Sequence, residues 1–367
     1  MILNSVSILN YKNISEASLS FSPKVNCFTG NNGMGKTNML DAIYYLSFCK
    51  SYVNQGDAMT MRHGSDFMML KGIYQRRNEP EEISCGLQTG KRKVLKRNGK
   101  EYQRLSQHIG LLPLVMVSPM DWELIRGSGE ERRKFVDQII SQSDNEYLTC
   151  LIRYTKAIES RNTLLRQGYS DAILFETVEE QIIATSTYIN KARSKWIEEF
   201  SPIFLKYYRA IADSNEFVRL IYRSALNEMP MRELLNSNRK KDVIMNYTTQ
   251  GIHRDDIDLL LGEHSMRKTG SQGQCKTYTI ALRLAQYDFI KSQSGITPIL
   301  LLDDIFDKLD AQRVENIISI VANSNFGQIF ITDTNRTHLD EIIRKVGSDY
   351  KIYSVVNGEC SEVPNLN

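Results

Sequence analysis

The stretch Gly30-Asn31-Asn32-Gly33-Met34-Gly35-Lys36-Thr37 constrains this chain more than any other, because it fits the pattern G-x-x-x-x-G-K-[ST]. Its glycines permit a tight loop whose backbone N–H groups turn inward around a phosphate. The helix that follows adds the favourable end of its dipole. "VNCFT" precedes the loop as a strand, and Met39, Leu40, Ile43 and Leu46 follow it at helical spacing. That is the strand–loop–helix context the chemistry requires, and it predicts an α/β fold. Residues Gly30 to Thr37, with Asn38, are the expected nucleotide cradle. Lys36 is expected to reach the β- and γ-phosphates, and the Thr37 hydroxyl to bind Mg2+.

Such a loop needs a carboxylate from elsewhere. "ITPILLLDD" is an uninterrupted apolar run ending in Asp303 and Asp304, as in a buried parallel strand. Asp303 is expected to hold Mg2+, directly or through water. Asp304 is expected to orient or deprotonate an attacking water. Chance would account for the loop alone, and a strand ending in solvated acids for the aspartates alone; together they support one another.

Around these motifs, residues 2–29 read as three strands, and 66–74 and 82–104 alternate like strands with a hairpin signal at Asn98-Gly99. Residues 129–142, 145–168 and 171–212 read as charged, glycine-poor helices. In the second, Leu148, Leu151, Ile152, Ile158 and Leu165 are expected on one buried face; in the third, Pro202 is expected to kink or break the helix. Residues 216–222, 257–262 ("IDLLLG") and 328–334 read as strands, 230–246 as a helix, and "EVPNLN" as a loose tail. The expected division is 1–115 with 247–367 as a sheet-forming part, and 116–246 as a helical lobe.

The 367 residues carry a formal net charge of +3, so any nucleic-acid surface must be local. Six cysteines lie far apart with no CxxC pair, which suits free thiols in a reducing compartment. The N-terminus shows no signal-peptide pattern and no apolar run approaches a membrane span. A cytoplasmic protein without a membrane role is expected.

A second glycine-rich helix entrance, Gly270-Ser271-Gln272-Gly273-Gln274, lies far downstream. It offers N–H groups, a dipole and a hydroxyl, again suited to a phosphate. An ordinary capped helix with Ser271 near its N-cap would read the same way. A second donor cluster on one chain is most useful to a different nucleotide. Two copies facing each other would let each cap the γ-phosphate on its partner's loop, so that ATP holds the dimer together.

The loop, the late "SQGQ", "LLLDD" and Leu309-Asp310 resemble the ABC-type ATPase heads of DNA repair and chromosome proteins. More narrowly, "SPMDWELIRGSGEERRKFVD", "YTKAIESRNTLLRQG" and "GIHRDDIDLLLGE" resemble the RecF family of bacterial recombination mediators over nearly the whole length. The resemblance implies an ABC-type head with a helical second lobe, and a weak DNA-stimulated ATPase using ATP and Mg2+. It implies that Ser271, Gln272, Gly273 and Gln274 act across a dimer, that Asp310 is the acid near the dimer seam, and that Thr332 to Thr334 occupy the switch position. It further implies double-stranded or gapped DNA, RecR and RecO as partners in loading RecA. A transporter-type switch histidine and Q-loop glutamine have no clear match here.

Lys91, Arg92, Lys93, Lys96, Arg97, Lys100 and Arg104 crowd one hairpin, and Arg132-Arg133-Lys134 and Arg239-Lys240-Lys241 form two further basic clusters. Each could displace counterions from a nucleic-acid backbone; each could equally be a solvated face. "GIHRDD" reads as a structural or interface element. Two other function classes fit the motifs: an ABC transporter ATPase subunit, and a non-catalytic DNA scaffold with a relic nucleotide site.

Overall fold

The computed structural model describes residues 1–53, 56–168, 172–212, 216–307, 309–322, 325–334, 336–346 and 349–364. Its strands, in chain order, are β1 (Ile2–Tyr11), β2 (Ile14–Ser20), β3 (Val25–Thr29), β4 (Phe67–Arg76), β5 (Glu79–Gln88), β6 (Val94–Arg97), β7 (Lys100–Glu101), β8 (Leu114–Val117), β9 (Val218–Arg223), β10 (Asp256–Leu261), β11 (His264–Ser265), β12 (Ile299–Asp303), β13 (Ile329–Asp333), β14 (Tyr350–Val356) and β15 (Glu359–Val363). The helices are α1 (Lys36–Phe48), α2 (Trp122–Arg126), α3 (Gly129–Ser141), α4 (Asn145–Arg166), α5 (Ala172–Ala212), α6 (Met231–Met245), α7 (Met266–Thr269), α8 (Gln272–Ser294), α9 (Ala311–Val321) and α10 (Arg336–Val346).

Two compact units divide the chain. One comprises Met1–Asp121, Ala210–Asp213 and Gln286–Asn367; the other comprises Trp122–Arg209 and Ser214–Ala285. Residues 247–285, expected with the sheet-forming ends, fall in the second unit. The reason is strand pairing: β10 joins β9 in antiparallel register from Asp256↔Arg223 to Leu261↔Val218.

In the first unit, an antiparallel sheet has the order β2-β1-β4-β5-β6-β7, and a second sheet the order β15-β14-β3-β13-β12-β8. The second is parallel except for β15. Its strands β12 and β13 are buried at every position, which is why they read as unbroken apolar runs. Helix α1 lies between the two sheets, against β1, β4 and β5 on one side and β8, β12 and β13 on the other. Its buried set therefore extends beyond Met39, Leu40, Ile43 and Leu46 to Ala42, Tyr44 and Tyr45, because a helix covered all round has no polar face.

The expected loose tail is partly a strand. Glu362 and Val363 pair with Tyr353 and Ile352 across the Asn357-Gly358 turn; residues 365–367 lie outside the described residues.

In the second unit, a three-stranded sheet β11-β10-β9 packs with α3. Of the expected kink or break at Pro202, the break does not occur: helix α5 runs on through it. Buried Trp196 and Phe200 before the proline, and Phe204, Tyr207 and Tyr208 after it, hold the helix, so packing outweighs the lost backbone hydrogen bond. The buried face of α4 also differs from the expected one. Ile152 is exposed, and Tyr147, Tyr154, Ala157, Ile158, Arg161 and Leu165 are buried. The polar ends of that stripe are bonded, except for one terminal nitrogen of Arg161. The Tyr147 hydroxyl donates to Asp137 (2.5 Å), and Arg161 donates to Glu179 (2.9 Å), Asp242 (2.7 Å) and Thr248 (2.9 Å). No described helix is long and apolar enough to cross a membrane.

Candidate functional site

The loop between β3 and α1 is shaped by its glycines. Gly30, Gly33 and Gly35 have φ of +147°, +80° and +108°, where side chains are strained. Space is lacking as well: a Cβ on Gly30 would lie 2.4 Å from the Val355 carbonyl oxygen, and one on Gly35 2.6 Å from the Asn13 side-chain nitrogen. Asn31, Asn32 and Gly33 form an exposed crest. Gly35 is the N-cap of α1 and brings no side-chain cap, so the N–H groups of the first turn keep the anion-binding character of a helix start. Lys36 folds back over the loop, its Nζ donating to the carbonyls of Gly30 (2.6 Å) and Asn31 (3.0 Å). Burial lowers its pKa, while Asp304, Asp303 and Asp333 push the other way.

Thr37 and Asp303, 266 residues apart in sequence, meet: the Thr37 hydroxyl lies 3.0 and 3.1 Å from the two Asp303 carboxylate oxygens. Thr332 on β13 also donates to Asp303, at 2.7 Å. Burial raises the Asp303 pKa; the bonds from Thr332 and Thr37 oppose that shift. A hydroxyl beside a buried carboxylate is a hard, oxygen-only donor set, which suits Mg2+ completed by water and phosphate oxygens. No group of three or more His, Cys, Asp or Glu among the described residues could hold a metal, so a cation here would rely on those other oxygens. Asp304 follows with φ of +47°, a left-handed conformation uncommon outside glycine. Asp310 caps α9, accepting from the Arg313 N–H at 2.9 Å.

The loop has braces that no motif announced. The Met34 carbonyl accepts from the Asn13 side chain (3.2 Å) in the β1–β2 turn and from the Gly358 N–H (2.8 Å) in the β14–β15 turn. Asn13 in turn accepts from the Asn38 side chain at 2.7 Å. Beside Asn13, Lys12 forms an ion pair with buried Asp41 at 2.5 Å, and Asp41 also accepts from Tyr11, Ser51 and the Tyr52 N–H. A visible signal existed for the second brace: Asn357-Gly358 is the same hairpin dipeptide as Asn98-Gly99.

In the second unit, residues 271–274 form a capping box. Ser271 Oγ accepts from the Gln274 N–H (3.2 Å), and the Gln274 side chain accepts from the Ser271 N–H (2.9 Å). Gln274 also donates to Glu216 at 2.6 Å. Ser271 and Gln272 are exposed, and Gly273 is half-buried.

The basic clusters do not form the continuous surfaces their spacing suggested. Lys93 turns inward to Asp57 (2.7 Å) and the Cys49 carbonyl (2.6 Å), and Arg97 pairs with Glu81 through both its Nε and a terminal nitrogen. Strand alternation is the cause, since both share the face of buried Leu95. Lys91, Arg92, Lys96, Lys100 and Arg104 are exposed. Arg132 is held by Asp256 (2.7 and 2.8 Å), Arg133 by the Asp255 carbonyl (2.7 Å) and Lys134 by Glu130 and Glu131. Arg239 pairs with Glu179, leaving Lys240 and Lys241 exposed. His253 lies between Tyr154 (2.7 Å) and the Thr248 carbonyl (3.0 Å), and burial lowers its pKa to about 4. It is a neutral packing residue.

Comparison with known proteins follows this geometry. The family profile of the RecF/RecN/SMC N terminal domain matches residues 2–360. The chain is 52% identical over 365 residues to the DNA replication and repair protein RecF of Bacteroides thetaiotaomicron, covering 99% of each. It is 53% identical over 359 residues to that of Parabacteroides distasonis, covering 98% of each. Among solved structures it is similar to the recombination mediator protein RecF-ATP in the RecFOR pathway, with a TM-score of 0.88 and 26% identity over 99% of this chain and 98% of that one. The Smc head domain of Pyrococcus furiosus shares the fold, with a TM-score of 0.58 and 16% identity over 99% of this chain and 96% of that one.

Proposed function

This chain belongs to the RecF/RecN/SMC N-terminal domain family and to its RecF proteins, and from that premise we propose that it is an ATP-dependent DNA clamp acting in recombinational repair. The observation that carries the reading is the meeting of the Thr37 hydroxyl with the Asp303 carboxylate, which supports taking them as two halves of one nucleotide site.

ATP binds with its phosphates on the N–H groups of Gly30 to Asn38. Lys36 exchanges the Gly30 and Asn31 carbonyls for β- and γ-phosphate oxygens. Thr37 and Asp303 would hold Mg2+, which would offset the charge of the β- and γ-phosphates. Asp304 orients the attacking water and accepts its proton. A bond forms from the water oxygen to the γ-phosphorus, the bond to the β–γ bridging oxygen breaks, and ADP and phosphate leave. A carboxylate one methylene shorter than glutamate suits slow turnover, as in a switch.

Dimerisation supplies the rest. Accepting from the Gln274 N–H leaves the Ser271 hydroxyl proton available for a partner's γ-phosphate, together with the Gln272 and Gly273 amides. Asp310 lies near the dimer seam. Hydrolysis removes the shared γ-phosphate and opens the clamp. Exposed Lys91, Arg92, Lys96, Lys100, Lys240 and Lys241 are the candidates for contact with the backbone of duplex or gapped DNA. RecR and RecO are the expected partners in aiding RecA loading, in a cytoplasm that keeps the six free cysteines reduced.

Sedimentation of the full chain with and without ATP, repeated with Lys36→Ala, tests the core of this proposal. Dimer formation that needs both ATP and Lys36 is expected. Wild-type protein that neither binds ATP nor changes its mass with it refutes the proposal.

A further inference from the structure

Strand β13 lies between β3, which feeds the phosphate loop, and β12, which ends in the two aspartates. Its register sets Thr332 opposite Asp303 on one side and Phe28 on the other. Thr332 is fully buried, and every hydrogen-bonding capacity of its hydroxyl that the structure shows is directed at the aspartate pair. The hydroxyl proton goes to Asp303 at 2.7 Å. The same oxygen accepts from the Asp304 N–H at 3.1 Å, and the Thr332 carbonyl accepts from that N–H at 3.2 Å.

These contacts fall where the backbone is unusual. Asp304 has φ of +47°, and such a conformation persists when its surroundings over-determine it. A side-chain and a main-chain acceptor on one N–H are that kind of constraint. The bond to Asp303 fixes a second feature, the rotation of a carboxylate that also faces the Thr37 hydroxyl.

We infer that Thr332 is the positioning residue of the Asp303–Asp304 pair: one hydroxyl sets the rotation of the cation-holding carboxylate and anchors the left-handed turn that presents its neighbour. This inference rests on the nucleotide reading given above. It assigns to the strand-end threonine a role in aligning carboxylates, distinct from sensing the γ-phosphate.

Thr332→Val keeps the shape and β-branching and removes only the hydroxyl. The test titrates Mg2+ into the full chain with a fluorescent ATP analogue, following binding and, separately, phosphate release. With Mg2+ chelated, the variant is expected to bind the analogue as the wild type does. The Mg2+ midpoint is expected to rise by roughly 10- to 100-fold, the usual effect of losing a group that orients a metal ligand, and phosphate release to fall. Thr332→Ser is expected to restore both. Thr332→Ala, expected to shift the midpoint in the same direction, serves if the valine variant does not fold. A wild-type Mg2+ midpoint in the folded valine or alanine variant, or a serine variant that fails to rescue, overturns the inference while leaving the nucleotide reading intact. Wild-type protein with no Mg2+-dependent nucleotide binding overturns that reading, and this inference with it.

Discussion

Gly358→Ala tests whether the far end of the chain shapes the phosphate loop. Gly358 has φ of +85°, and a Cβ there would lie 2.3 Å from the Asn13 carbonyl oxygen. The left-handed conformation alone costs an L-residue about 1–2 kcal/mol. Relieving the overlap needs a movement of roughly 1 Å to reach ordinary contact. The opposing atom is backbone, so the hairpin must shift away from the β1–β2 turn. That movement strains or breaks the 2.8 Å bond from the Gly358 N–H to the Met34 carbonyl, a net loss of about 1 kcal/mol. Some of this penalty reaches the phosphate loop, and since 1.4 kcal/mol is a factor of ten in affinity, about a tenfold weakening of ATP binding is expected. Gly99→Ala is the control, because Gly99 has φ of +77° with nothing within 4 Å. It carries the same backbone strain without the collision. Calorimetric titration with ATP, paired with thermal melts, separates the two. Equal ATP affinity in the two variants refutes the brace.

Two further substitutions probe the proposed cycle. Asp304→Asn keeps the size of the side chain and removes its basicity, so ATP-induced dimers on DNA should persist, with phosphate release reduced by at least about a hundredfold; normal release rates would assign the water to another group. Ser271→Arg places a long cation at an exposed helix start, and should leave ATP binding by the monomer intact while sedimentation with ATP shows no dimer; a variant that still dimerises would remove the trans-capping role.

Much of the site was legible because its residues are adjacent in sequence. Gly30 to Thr37 and the run ending in Asp303 and Asp304 each declare a local geometry, and both lie at the strand ends their patterns predict. The bracing was not legible: Asn357-Gly358 signals a turn, but that Asn13 and Gly358 both act on the Met34 carbonyl is a matter of single hydrogen bonds, which leave no periodic trace. Thr332 could be placed at a strand end, but its pairing with Asp303 depends on which strand lies beside which. The basic hairpin misled for the opposite reason. Counting Lys93 and Arg97 with their neighbours ignored the alternation that turns both toward acids. Helix α4 misled in a similar way, since apolarity was taken as the mark of burial, and Arg161 is buried through its partners.

The capping box at the start of α8 bears on how readily anything can associate there. Ser271 and Gln274 hold each other's amides, and Glu216 fixes the remaining amide group of Gln274. The rotational freedom of these side chains is already lost within the single chain, so a docking surface that meets them need not supply free energy to freeze them. In the proposed dimer, encounter there would approach rigid-body docking. A substitution at Glu216 would then weaken the proposed association by freeing the Gln274 side chain that it holds.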